Sequence, residues 1–190
     1  MVDATPVQIA EAQLDQWYFE LSSQDRVRVR RYLEGIDTSS DVAFLIDLMK
    51  RASEDHNYKL SVTAGEALER KDLDNVSRFN ATEGYIEGLF GSDNFDFAKE
   101  MCCRNLELYP NISDALMVDG KPPAHLSCRN RLIDILVGVE GSYDEAYSVL
   151  DQYVMMGLID EEERDYRKQS LKIHRMQRSF DNIFNYRRSE

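Results

Sequence analysis

The chain has 190 residues, of which 43% are hydrophobic and 31% charged, and its net charge is −12. This size and composition suit one globular domain, whose core is large enough to be stable without disulfides or a structural metal. The acidic balance disfavours nucleic acid and anionic membranes as partners of the whole surface, although a local basic patch overrides this. No apolar run approaches the roughly 18 to 20 residues needed to cross a bilayer.

The N-terminus and the cysteines predict a cytoplasmic protein. Met1 to Ala4 are acidic and lack the basic-then-apolar layout of a secretory signal. The chain has three cysteines. An odd number argues against a disulfide framework and favours a reducing compartment.

Helix start and stop signals divide residues 1–72 into four predicted helices. The first runs from Thr5 to Leu21 and the second from Ser23 to Ile36, each with an apolar stripe at helical spacing. The third follows a capping segment at 38–41, and the fourth is centred on Leu60 to Leu68. With only nine Gly and four Pro in the chain, long helices are favoured over a many-stranded sheet.

Residues 75–158 predict four further helices. Two run from about 75 to 91 and from about 94 to 109, and Pro110 is expected to end the second. Residues 111–122 lack periodicity and predict a loop. Pro123 is expected to open a helix that reaches Val139, and the last helix of this region starts at the capping box Ser142-Tyr143-Asp144-Glu145.

The last predicted helix spans residues 160–188 and is the most segregated in charge. Eight Lys or Arg against two Asp between Arg164 and Arg188 give a local net charge of +6. Glu190 carries −1, so residues 1–163 carry −17. At 100° per residue, one face carries the apolar side chains and the opposite face the basic ones. The apolar face is Tyr166, Ile173, Met176, Phe180, Ile183 and Phe184, and the basic stripe is Arg164, Arg167, Lys168, Arg175 and Arg178.

A weak internal repeat relates residues 94–98 to residues 142–146 at an offset of 48. Phe95 and Tyr143 each stand three residues before a small residue, Ala98 and Ala146 respectively. A small residue lets two helices approach, and the aromatic fills the space at the turn. Similar units that each bury one face on a neighbour are typical of helical solenoids.

On these residues the segment 75–158 resembles the tetratricopeptide repeat family, with Pro110 at the position of the closing proline. The offset exceeds the family period of about 34 residues, so the resemblance implies an inserted loop after Pro110. Ile86 and Asp134 stand where the family has a small residue. The resemblance implies a right-handed stack of antiparallel helix pairs that binds proteins on a concave surface. The alternative within the same all-α class is an irregular bundle, with seven to nine helices in a single domain over 1–190.

Several residues are of types that serve in catalysis or metal binding, but their sequence patterns favour a structural role in the core or on the surface. His125 and Cys128 are placed on the same helix face as Leu132, and Cys102 follows Ala98 on a buried side, so a core role is favoured over zinc. A Cys–His nucleophile lacks any local signature. Glu83 and Glu87 lie one turn apart without the Glu-x-x-His companion of di-iron sites. We therefore predict no enzymatic activity, no metal and no cofactor.

The function predicted is that of a protein-interaction module, an adaptor or regulatory scaffold that binds through a helical groove or its C-terminal helix. The simplest arrangement of that helix is docked by its apolar face, with the basic stripe solvated or paired with the acidic body. In the alternatives, the stripe binds an acidic partner or nucleic acid, or the apolar face pairs with a second copy or another protein's helix. A membrane-surface role has the weakest support, because the bulk is acidic.

Overall fold

The computed structural model describes residues 5–186, with side chains as far as Phe180. It is all-α: over this part of the chain there is no β-strand, and Val118 and Lys121 form only an isolated bridge. Ten α-helices follow one another: α1 Val7–Glu11, α2 Asp15–Glu20, α3 Ser23–Val29, α4 Asp41–Glu54, α5 Tyr58–Glu69, α6 Asn75–Gly91, α7 Phe95–Leu116, α8 Ser127–Asp134, α9 Tyr143–Met155 and α10 Glu161–Tyr186. A 3₁₀-helix at Arg30–Tyr32 follows α3, and a π-helix at Ile135–Val139 continues α8.

Consecutive helices pack against each other, as in helical-repeat folds. The helices α4, α6 and α8 also contact one another in series, while α5 packs on α4 and α6, and α7 on α6 and α8. The helix α9 packs on the π-helix and on α10. Buried apolar side chains form one continuous cluster that extends from Ile9 to Ile159. Helix pairs therefore stack from α4 onwards, which begins before the region predicted to contain repeats.

The predicted first helix is two helices in the structure. Gln13 lies between them with a positive φ of 56°, a left-handed conformation that ends α1. Ile9, Leu14 and Tyr18 are all buried, so the bend keeps the apolar residues of both short helices in the core. This break raises the number of helices from the nine predicted segments to ten.

The prediction that Pro110 ends its helix is wrong. The helix α7 continues through Pro110 to Leu116, and the connection to α8 spans 117–126 instead of 111–122. Proline costs a helix one backbone hydrogen bond. Pro110 is exposed, whereas Tyr109 and Ile112 are buried on the other side of the helix, and their packing holds the last turns in place.

The start of α8 was also predicted wrongly, at Pro123 instead of Ser127. The side chain of Glu83, on α6, accepts hydrogen bonds from the backbone N–H groups of Ser127 and Cys128. These are N–H groups that have no partner within a helix. A carboxylate from a distant helix therefore caps α8, and the local sequence carries no sign of it.

Candidate functional site

The C-terminal helix α10 is attached to the rest of the protein through its basic side. Lys168 Nζ lies 2.7 Å from each carboxylate oxygen of Asp151 on α9. One helical turn earlier, Arg164 lies 3.8 Å from the same carboxylate, and it pairs with Asp165 at 2.9 Å. Arg167 donates two hydrogen bonds to Glu163 of its own helix, at 2.9 and 2.6 Å.

The middle of α10 continues this polar contact. Arg175 donates to Asp144 at 2.9 Å, with its guanidinium 5.6 Å from the centre of the Tyr143 ring. His174 Nδ1 and the Tyr143 hydroxyl are hydrogen-bonded at 2.8 Å. Arg178 donates to the carbonyl oxygen of Val137, inside the π-helix, at 3.0 Å. All five basic residues predicted to bind a partner thus contact their own chain, and their role towards a partner stays a prediction.

Neighbouring carboxylates raise the pKa values of two arginines of the basic stripe. The hydrogen bond to Asp165 raises the pKa of Arg164, and the hydrogen bond to Asp144 raises the pKa of Arg175. Asp165 belongs to α10 itself and Asp144 to α9, so the shift of Arg175 is the one that reflects the contact with the body.

A sequence signal for this arrangement exists in the spacing of the charges. Asp144 and Asp151 are seven residues apart on α9, and Lys168 and Arg175 are seven residues apart on α10. Because α9 and α10 run antiparallel, the equal spacing places Lys168 opposite Asp151 and Arg175 opposite Asp144. The capping-box interpretation treated Asp144 as a local helix signal and missed this pairing.

The expectation that α10 docks by its apolar face is wrong. Tyr166 is 71% exposed, Ile173 46%, Met176 48% and Phe180 60%. We call these four side chains the outer face. Leu171, on the basic side, is the apolar residue of α10 that packs partly against the core. The physical reason is the acidic surface of α9, which attracts the basic stripe and leaves the apolar stripe in solvent. The side chains of Ile183 and Phe184 lie outside the described residues.

The outer face has the spacing of a coiled-coil seam. Tyr166, Ile173 and Phe180 are seven residues apart, and Met176 lies three residues after Ile173, as the a and d positions of a heptad require. The flanking e and g positions between 165 and 180 are Asp165, Ser170, Lys172, Gln177 and Ser179. They carry one negative and one positive charge, so the outer face has no net charge even though the helix is rich in arginine.

A groove borders the outer face where α10 meets α9. Its volume is about 770 Å³, and its lining includes Tyr147 of α9 and Met176 of α10. Tyr147 is itself partly buried against the core. A long apolar surface with an adjoining groove is the kind of site that accepts another helix.

Of the residues considered for catalysis or metal binding, Cys102 and Cys128 lie close to Glu83 in the core. Cys102 and Cys128 are buried, as predicted, and burial raises the pKa of both thiols. Cys103 is exposed. His125 is exposed and precedes α8, so its predicted place on the buried face beside Cys128 is wrong. In the described part of the chain, no three His, Cys, Asp or Glu side chains form a group that could hold a metal ion.

The two glutamates on α6 have structural partners. Glu83 caps α8 and accepts a hydrogen bond from Asn105 at 2.8 Å. Glu87 pairs with Arg131 of α8 at 2.8 Å, and the same guanidinium lies 4.5 Å from the centre of the Phe90 ring. Both carboxylates therefore join α6 to α8.

Among residues 5–186, no helix is long and apolar enough to cross a membrane. Compared with known proteins, the chain matches no family model, no curated protein and no solved structure.

Proposed function

We propose that this protein is a non-enzymatic interaction module and that the outer face of α10 is its docking surface. The observation that carries the proposal is the exposure of Tyr166, Ile173, Met176 and Phe180 on a helix held by its polar side. Each large apolar side chain left in water forgoes about 1.5–3 kcal/mol of burial. Four of them along one stripe form the contiguous kind of apolar patch that marks an interaction site.

The stacked helix pairs behind α10 serve as the scaffold that presents this surface, and we propose that they are tetratricopeptide-like. Phe95 packs edge-on against Phe90 at 5.4 Å between ring centres, which fits an aromatic that fills the turn between paired helices. Ala98 and Ala146 are fully buried, as small residues between close helices are. The continuation of α7 through Pro110 departs from the repeat pattern.

The occupant of the outer face is α10 of a second copy. A heptad seam mates with a helix that carries the same pattern, and the chain itself supplies one. Charge also allows this pairing, because the five residues of the basic stripe contact their own chain. The flanking positions carry only Asp165 and Lys172, which have opposite signs, so two outer faces meet without like-charge contacts in a parallel pair.

The test is the mass of the protein in solution, before and after charges are placed on the seam. The wild-type chain should run at twice its mass of 22.0 kDa in light scattering coupled to size exclusion, and Ile173→Asp/Phe180→Asp at the single mass. Buried carboxylates in a helix seam are strongly unfavourable. Met155→Asp is the matched control, since Met155 is a 79% exposed apolar residue outside the outer face and should leave the dimer intact. Circular dichroism should show the same helix content in all three proteins.

A wild-type chain that stays monomeric at about 100 µM, where a micromolar dimer is largely formed, would exclude the second copy as occupant. The interaction module itself is then tested with a photo-crosslinker at Ile173 in native extract, compared with one at the exposed Val27. A partner identified in this way must bind the purified protein and lose binding in Ile173→Asp/Phe180→Asp. If no such partner exists, the proposed function is wrong.

Nucleic-acid binding through the basic stripe is the alternative function. It has less support because Arg164, Lys168 and Arg175 already contact carboxylates of their own chain. Phosphate binding would have to displace those carboxylates and would be steeply salt-dependent. A gel shift that stays negative at low salt removes this alternative.

A further inference from the structure

A second surface feature, whose lining shares no residue with the outer face, is a cleft at the N-terminal end of α10. It lies between the 117–126 connection, the first turns of α8, the 157–160 connection and the start of α10. Its volume is about 560 Å³, which is in the range of small-molecule sites.

The most unusual group in the cleft wall is Arg129 of α8, whose side chain is nearly inaccessible, with 5% of the residue exposed. Its two terminal nitrogens donate to the carbonyl oxygens of Leu158 at 3.0 Å and Ala124 at 2.6 Å. These two bonds tie both connections to α8. A guanidinium has five N–H groups, and the Nε group of Arg129 has no partner among the described residues.

Arg129 is buried without a direct ion pair. It forms no ion pair within the described part of the chain, although a buried charge is normally paired. Glu163, the acid on the facing side, is already bound twice by Arg167. Burial lowers the pKa of Arg129 and the positive charge of Arg167 lowers it further, whereas the negative charge of Glu163 acts in the opposite direction. Two cations therefore face the same space and share one acid, Glu163, which pairs directly with Arg167.

The charges around the cleft have an excess of the positive sign. Lys121, Arg129 and Arg167 line it together with Asp160 and Glu163. Asp160 Oδ1 accepts the backbone N–H of Glu163 at 2.7 Å, which caps α10. Both acids are thus engaged within α10, whereas Lys121 forms no ion pair with any described residue. This local excess is opposite in sign to the net charge of the chain, which is −12.

We propose that the cleft binds a small oxyanion, a carboxylate or phosphate group on a metabolite-sized molecule, between Arg129, Arg167 and Lys121. Planar guanidinium groups match both kinds of group with paired hydrogen bonds. The anion brings a second negative charge to the two arginines and competes with Glu163 for Arg167. The ligand also bridges α8 to α10, so its binding stiffens the attachment of the helix that carries the outer face.

The experiment is a calorimetric titration of the full-length protein with inorganic phosphate and, separately, with citrate, at constant ionic strength held with chloride. We expect saturable binding of one or both. Lys121→Ala/Arg167→Gln keeps Arg129 and the two backbone links, and should weaken binding at least about tenfold, as expected for lost charged hydrogen bonds. Arg129→Lys keeps the charge but not the fork, and should also weaken it. Lys172→Ala, a cation of α10 outside the cleft, is the control and should bind as the wild type does.

Binding of phosphate alone identifies a phosphate ligand, binding of citrate alone identifies a carboxylate, and either result supports the site. The proposal is overturned if neither anion binds saturably at about 10 mM, a concentration far above the dissociation constants of specific ligands. It is equally overturned if Lys121→Ala/Arg167→Gln binds like the Lys172→Ala control. Because Lys121→Ala/Arg167→Gln leaves the outer face untouched, its self-association is measured independently of the anion result.

Discussion

At the scale of single residues, Glu83 shows how one carboxylate can organise two helices. It accepts the two backbone hydrogen bonds that cap α8, and a third from the Asn105 side chain. Burial nevertheless raises the pKa of Glu83 above its ordinary value of 4.5, because the cost of removing the charge from water exceeds the gain from these donors. The ionised form of Glu83 therefore has a net cost in free energy, which the hydrogen bonds of the cap offset in part.

Replacing Glu83 should have two effects that can be separated. Glu83→Ala leaves the donors of Ser127, Cys128 and Asn105 without a partner and should lower the free energy of unfolding by about 2 kcal/mol at pH 7.

Glu83→Gln does not titrate. Since the folded state of the wild type binds an extra proton between pH 4.5 and its raised pKa, the contribution of Glu83 to stability falls as pH rises through that window.

The measurement is urea unfolding of the wild type and Glu83→Gln from about pH 4.5 to pH 8. The stability of Glu83→Gln relative to the wild type should rise with pH over the window. Comparing the two proteins cancels the acids with lowered pKa values, such as Asp25 and Asp41, whose contributions are lost in acid in both. A difference that is flat or falls with pH would contradict the raised pKa.

At the scale of elements, the contact between α5 and α6 depends on glycine. A Cβ built on Gly88 would lie 2.7 Å from Ser61 Oγ and 3.3 Å from the backbone nitrogen of Val62. The backbone of α5 cannot move away without disturbing the α4 packing on its other side. Gly88 is therefore a residue of close helix approach, although its place inside a helix costs stability in itself.

Gly88→Ala should lower the free energy of unfolding by about 1–3 kcal/mol, even though alanine is the better helix former by about 1 kcal/mol. Gly138→Ala is the matched control, because no atom lies within 4 Å of its Cβ position. The control should be neutral or slightly stabilising in thermal and urea unfolding. A stable Gly88→Ala protein would show that α5 and α6 are less tightly packed than described.

Individual helices also differ in how far local sequence patterns predict them. The apolar stripes of α4, with Phe44, Leu45 and Leu48 fully buried, follow directly from helical periodicity. The extent of α7 and the start of α8 do not, because they depend on the packing of Ile112 and on a carboxylate donated by α6. Local signals describe a helix end only when its partners are close in sequence.

At the scale of the whole molecule, α10 is a peripheral helix that is attached mainly by ion pairs and hydrogen bonds. As far as the structure describes its side chains, its contacts with the body include ion pairs to Asp144 and Asp151, hydrogen bonds to Tyr143 and Val137, and the partial burial of Leu171. Exposed ion pairs stabilise proteins by about 0–1 kcal/mol each. The body formed by the preceding helices should therefore not need α10 in order to fold.

Deleting residues 164–190 should leave the remaining chain folded, with a loss of about 1–3 kcal/mol in the free energy of unfolding, and should abolish self-association. Circular dichroism, thermal unfolding and light scattering report the three quantities on one sample. A truncated chain that unfolds globally would mean that α10 belongs to the core. A truncated chain that still dimerises would move the interface away from the outer face.

The sequence by itself determined the all-α class, the approximate number of helices, the burial of Cys102 and Cys128, and the division of α10 into a basic and an apolar side. These properties depend on residue type and on spacing along one helix, which periodicity reports directly. Only the tertiary structure decided which side of α10 faces the body, how α8 is capped, and that Arg129 and Arg167 meet across one cleft. An amphipathic helix can pack against the rest of a protein by either its apolar or its charged side, and its neighbour decides which. The two acids of α9 pair with bases of α10, so the charged side faces the body and the apolar side remains exposed to solvent.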